Sequence, residues 1–126
     1  MFLTPLLRDP ARSWTLVNGA TGAVLASRVL AAVDSASRRR GLLGRAGLDD
    51  EALIIAPCNA VHTFFMQFPI DIVYADRQGT VIRCVAAVPP WRLSGSLRGF
   101  ATIELAAGAI ARSGTRAGQR LELRAA

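Results

Sequence analysis

His62, Asp71 and Glu104 are the polar residues that stand out in apolar surroundings in this chain, and any acid–base chemistry would start from them. His62 is the only histidine; Asp71 interrupts Ile70-Asp71-Ile72-Val73-Tyr74, and Glu104 interrupts Ile103-Glu104-Leu105. A histidine with two carboxylates could share general acid–base work or ligate a metal ion. The three lie far apart in sequence, and no motif ties them together. A structural role is the alternative: Asp71 and Glu104 accept hydrogen bonds from loop or helix N–H groups, and His62 bridges one of them. Glu104 precedes an expected helix start, where a negative charge is favoured by about 0.3–1 kcal/mol. Trp91 and Arg92 complete the candidate set. They follow the rigid Pro89-Pro90 pair, and an aromatic wall beside a cation suits a small anionic ligand.

The elements that would position these groups can be read from patterning. Ile70, Ile72 and Tyr74 alternate with Asp71, Val73 and Ala75, a strand with one face more apolar. Asp76-Arg77-Gln78-Gly79 is a turn, with glycine where positive φ is needed. The segments 70–76 and 80–88 therefore pair as an antiparallel hairpin. Between His62 and Pro69 the chain is short, aromatic and blocked by proline, which predicts an irregular or extended approach to that strand. Its large apolar groups are expected in the core.

Elsewhere, 14–17 and 24–33 flank Asn18-Gly19 and form a second expected hairpin. Asp34 is a suitable N-cap for a helix over 35–46 whose arginines would form a solvated face. Asp49-Asp50-Glu51 lacks the alternating spacing of a calcium loop and is expected to be a solvated turn. Strands are expected over 52–56, 100–105 and 120–124, and a short helix over 106–113 stopped by Gly114. The 89–99 segment has the composition of a mobile loop, and residues 1–13 those of an amino-terminal arm ahead of a single globular domain over 14–126. The expectation is a mainly β (α+β) antiparallel domain, sandwich- or barrel-like, with six or seven strands and two short helices.

The run His62-Thr63-Phe64-Phe65-Met66, followed by Pro69-Ile70-Asp71, resembles the signature of the domain of unknown function 192 family. Phe65 stands where glycine is common in that signature. Arg40-Gly41-Leu42-Leu43, Pro89-Pro90-Trp91-Arg92, Ile103-Glu104-Leu105 with Gly108, and Gly118 fit in order over nearly the whole chain. The resemblance implies a compact, mostly antiparallel β fold with short helices and lends no activity.

Composition narrows the function classes. Hydrophobic residues make up 52% and charged residues 19%, which argues for a packed globule rather than disorder. The net charge of +6 comes from fifteen basic residues, every one an arginine, spread from Arg8 to Arg124. That spread and the total lack of lysine point to compositional habit, so a basic nucleic-acid binder ranks third among the readings. No apolar run approaches the roughly 20 residues of a spanning helix, and the amino end lacks a signal-peptide pattern, which together predict a cytoplasmic protein. Cys58 and Cys84 are too few and too far apart for a disulfide framework or zinc site, and are expected as buried free thiols. Nucleophile elbow, phosphate loop and dinucleotide fingerprint are all missing. No metal or cofactor is expected. The sequence leaves the function unknown: its first reading is a small non-catalytic domain binding a ligand or another protein, and its second a hydrolase-like enzyme using His62 with Asp71 or Glu104. The cleft is expected where 58–69 meets 89–99, near Glu104.

Overall fold

The computed structural model describes residues 1–32 and 45–126. The helix expected over 35–46 lies outside the described residues, apart from Arg45 and Ala46, which are not helical. In chain order the described elements are α1 (Thr4–Arg8), β1 (Trp14–Asn18), β2 (Val24–Ala26), β3 (Arg28–Ala32), β4 (Glu51–Ile55), β5 (Ala60–His62), β6 (Ile70–Ala75), β7 (Val81–Val88), β8 (Leu93–Gly95), β9 (Ala101–Ala106), α2 (Ala109–Ser113) and β10 (Leu121–Ala125). A five-stranded sheet runs β3-β4-β9-β6-β7, a three-stranded sheet runs β10-β1-β2, and β5 and β8 form a separate ribbon. All these pairings are antiparallel except β3 with β4. The sheets do not close into a barrel.

The hairpin expected at 70–88 forms, with Val73 opposite Cys84 and Tyr74 opposite Arg83. Its turn is closed by the Gly79 N–H to the Asp76 carbonyl, and the Asp76 carboxylate accepts the N–H groups of Gln78 and Thr80. β6 also pairs along its whole length with β9, so it sits inside the sheet. All six of its residues are buried, not one face only, because layers cover the sheet on both sides. Val73 and Ala75 join Leu16, Leu25, Ile103, Leu105 and Leu121 in the core beneath the three-stranded sheet. Ile70, Ile72 and Tyr74 face the other way, into a core with Leu53, Ile55, Met66 and Val88. Period-2 alternation thus feeds two cores from one strand.

Three segments depart from expectation. The run 24–33 is two strands in different sheets, and the chain changes sheet at Ser27. Asp50 holds that corner, accepting the Ser27 N–H at 3.2 Å and its hydroxyl at 2.5 Å, which keeps the carboxyl below its ordinary pKa. Glu51 pairs with Arg28 and Arg45, so the acidic triplet is a fastener rather than a free turn. The amino-terminal segment is folded against the core: Phe2, Leu3 and Leu6 are buried, and the Phe2 N–H bonds the Arg77 carbonyl. The 89–99 segment is not a free loop, because β8 lies within it and pairs with β5. These additions raise the described strands to ten.

Gly79 joins the hairpin turn, the last strand and the amino terminus. Its φ is +85°, and a Cβ there would lie 2.6 Å from the Leu121 carbonyl oxygen and 2.9 Å from the Phe2 side chain. Gly79→Ala should therefore destabilise the protein by about 2 kcal/mol or more, through backbone strain and displaced packing together. Urea denaturation reads this as a lower midpoint; an unchanged midpoint would contradict the described packing of the turn.

Candidate functional site

Thr63 builds the junction between the 58–69 and 89–99 segments. Its backbone N–H donates to the Arg92 carbonyl at 2.9 Å, and its carbonyl accepts the Trp91 N–H at 3.0 Å. Its hydroxyl donates to the Pro89 carbonyl at 2.7 Å and accepts the Arg92 N–H at 2.9 Å. The side chain is buried, so these bonds form where unmet groups would be costly. Beyond this clamp, β5 and β8 run antiparallel with Val61 opposite Ser94 and His62 opposite Leu93. Ser94 accepts the Tyr74 hydroxyl at 2.8 Å, and Val61 packs into the core that contains Tyr74, which lays the ribbon over that face of the central sheet. Burial raises the Tyr74 pKa, with the Ser94 bond opposing it, so the phenol stays neutral.

Strand alternation then turns His62 and Leu93 away from the sheet, and both are exposed. His62 stacks on Phe64 at 4.9 Å between centroids, Phe64 stacks on Trp91 at 5.8 Å, and Phe65 meets Trp91 at 4.7 Å. The imidazole Nδ1 accepts the Phe64 N–H at 3.2 Å, which places the proton of neutral His62 on Nε2. Phe65 and Trp91 both have positive φ, 66° and 67°. Phe65 is the third residue of a turn closed by the Met66 N–H to the Thr63 carbonyl, a position that favours glycine. A shallow groove of ≈ 530 Å³ runs along the ribbon past Ala60, His62, Leu93 and Gly95.

Asp71 and Glu104 are separated by the sheet, with Glu104 on the side that the ribbon covers and Asp71 on the other. In the β6–β9 register Asp71 is opposite Leu105 while Ile72 is opposite Glu104, so the two carboxylates face opposite sides of the sheet. Asp71 is fully buried and accepts the N–H groups of Ala87 at 2.8 Å, Gly108 at 3.1 Å and Ile110 at 2.9 Å. It thereby fixes the bulge in β7, where Ala87 has φ 51°, and the start of α2. This is the hydrogen-bonding role read as the alternative in the sequence.

Glu104 departs from that alternative. It lies among Leu53, Ile72 and their neighbours and is 5% exposed, and its side chain makes no hydrogen bond or ion pair among the described residues. Burial pushes its pKa up to about 7. Arg92 does not pair with it; the Arg92 guanidinium is exposed and reaches only the Trp91 carbonyl, at 3.5 Å. His62, Trp91 and Arg92 thus come together, while Asp71 and Glu104 do not join them. Among the described residues no three His, Cys, Asp or Glu side chains cluster as metal ligands. Cys58 and Cys84 are free thiols. Sequence patterning missed Thr63, since nothing in the composition of the run marks one buried threonine as a clamp. The glycine preference at position 65 was the available signal for the unusual backbone.

The Glu104 carboxyl gives the fold a pH dependence of definite sign. Its folded pKa is raised above the unfolded value of 4.5, so its contribution is fully present below about pH 4.5 and is lost as pH rises to about 7. At 1.36 kcal/mol per unit, the loss is on the order of 3 kcal/mol. Glu104→Gln should be more stable than the parent at pH 8 and should flatten the stability profile between those limits. Denaturant titrations across the range check this; parallel profiles for the two proteins would show that Glu104 is solvated.

Comparison with known proteins gives the same fold. A protein of unknown function from Novosphingobium aromaticivorans DSM 12444 superposes with a TM-score of 0.74 at 25% identity, covering 87% of this chain and 83% of its own. A Sinorhizobium meliloti 1021 protein described as a "putative transcription regulator" gives 0.76 at 23% identity, covering 88% of this chain and 92% of its own. No curated protein matches. The domain of unknown function 192 family, described as "Uncharacterized ACR", matches residues 16–123, and this chain belongs to that family, whose function is unknown.

Proposed function

We propose that this domain is a non-catalytic binding module whose contact surface is the junction of the 58–69 and 89–99 segments. One observation carries the reading. Phe65 and Trp91, two bulky aromatic residues, both occupy left-handed backbone, touch each other, and remain 69% and 56% exposed. Left-handed backbone in a non-glycine residue costs about 1–3 kcal/mol, and burial of these rings does not offset it here. Display of the rings to a partner accounts for the arrangement. His62 and Phe64 extend the aromatic surface, and Arg92 supplies an exposed cation for an anionic ligand or protein. A likeness at 23% identity carries only the fold, so the regulator description lends no nucleic-acid role here. The acid–base alternative lacks support of this kind: Asp71 is engaged by three backbone N–H groups, and among the described residues His62 is hydrogen-bonded to neither carboxylate. Among the described residues no helix is long and apolar enough to cross a membrane. The free thiols fit the reducing cytoplasm.

Two substitutions separate display from structure. Phe65→Gly should leave stability unchanged or raise it by about 1 kcal/mol, since glycine adopts this backbone freely. Trp91→Ala should keep the fold yet abolish the chemical-shift changes that fragments or protein partners induce around His62, Trp91 and Arg92 in an NMR screen. Identical shift changes in the parent and in Trp91→Ala would remove the proposal.

A further inference from the structure

We infer that the partner of this surface is an anionic lipid bilayer, with Phe65, Trp91, Leu93 and Leu97 entering the headgroup–acyl boundary and Arg92 and Arg98 meeting lipid phosphates. This rests on the binding-module reading and names its partner. Leu93, 76% exposed, lies opposite His62, whose ring is stacked through Phe64 to Trp91, and Leu97, 97% exposed, lies in the turn just past β8. The other large apolar side chains exposed in the described chain, Met1, Leu7 and Val24, each stay below half. A leucine standing almost wholly in water holds nothing together in the fold, and its burial is favourable only against something outside the chain.

Charge supports the same partner. The sequence has no aspartate or glutamate from Ala52 to Ile70 and none from Arg77 to Ile103, the stretches that supply both segments. Four arginines lie in the second stretch. Arg83 is engaged with the Gly95 carbonyl and Arg77 lies over the Phe100 ring at 4.4 Å, whereas Arg92 and Arg98 make no ion pair among the described residues; Asp76, which shares a cleft with Arg98, is engaged by the N–H groups of its own turn. Exposed apolar tips in a segment that also exposes two arginines fit an interface that is negative at its surface and apolar beneath. Single-stranded nucleic acid would also accept arginines beside aromatic rings. Here, however, the rings stack mainly on one another, and the most exposed groups are leucines, which offer a base no stacking face.

Co-sedimentation of the full chain with phosphatidylcholine vesicles, with and without phosphatidylglycerol, tests the inference. Binding should require phosphatidylglycerol and weaken at high salt. Arg92→Gln and Arg98→Gln should each reduce partitioning roughly fivefold, and Leu97→Ser about tenfold, with unchanged thermal melting. Arg112→Gln, outside the patch, should change it little. Failure to sediment with anionic vesicles would overturn the inference. So would sedimentation that survives both Leu97→Ser and Trp91→Ala, since that is adsorption of a basic protein by charge alone. If vesicles fail but a single-stranded oligonucleotide or a second copy of the chain binds in a Trp91-dependent way, the lipid inference falls and the binding surface stands. If all three fail, the lipid inference falls, and the fragment and protein-partner screen of Trp91→Ala decides the binding-module reading.

Discussion

A carboxylate within a strand buried on both faces needs its charge met by the protein, because no water reaches it. Asp71 stands in that position in β6, and backbone amides of three residues supply what water would have supplied. Those amides belong to β7 and to the start of α2. The requirement to satisfy one buried charge therefore fixes the bulge at Ala87 and the seat of the helix at the same time. Removing the bonds would leave the charge unmet and free two neighbouring elements together. The central sheet is positioned from this point outward, with β9 on one side of β6 and β7 on the other.

The ribbon is a separate layer, and its attachment has a different character. It is held to the sheet by the Tyr74–Ser94 bond and the apolar contact of Val61, while its ends are tied by the four bonds of Thr63 and by the Ser96 N–H to the Asn59 carbonyl. Bonds inside the junction are buried, but the side chains it carries outward are not. The inner face of the ribbon serves the core, and the outer face is left free to display rings, leucines and arginines. Such a division of labour is what a rigid scaffold with a functional loop pair provides.

The two acidic residues that looked alike in sequence have opposite fates. Asp71 is surrounded by donors, whereas Glu104 lies on the other face of the sheet with apolar neighbours and burial as the cause of its raised pKa. A one-residue difference in register across β6 and β9 separates them. The aggregate charge shows the same dependence on placement. Arginines spread evenly along the sequence still leave Arg92 and Arg98 exposed and without an ion pair among the described residues, in a segment that has no acid of its own.

Local chemistry determined the hairpin at 70–88: alternation set its faces, and the Asp76-to-Gly79 turn set its register. Strands 51–55 and 101–106, the short helix ending at Gly114 and the mainly antiparallel class were equally legible, because turn residues and short-range periodicity act within a few positions. The ordered family motifs identified the family for the same reason, being strings of neighbouring residues. Tertiary structure decided what depends on residues distant in sequence. The sheet change at Ser27 depends on Asp50, the docking of Phe2 depends on the 76–79 turn, and β8 exists as a strand because β5 lies beside it. The site divided along the same line. His62, Trp91 and Arg92 could be named from their types, but only the pairing of β5 with β8 put them on one surface, and only the register of β6 with β9 turned Asp71 and Glu104 to opposite sides.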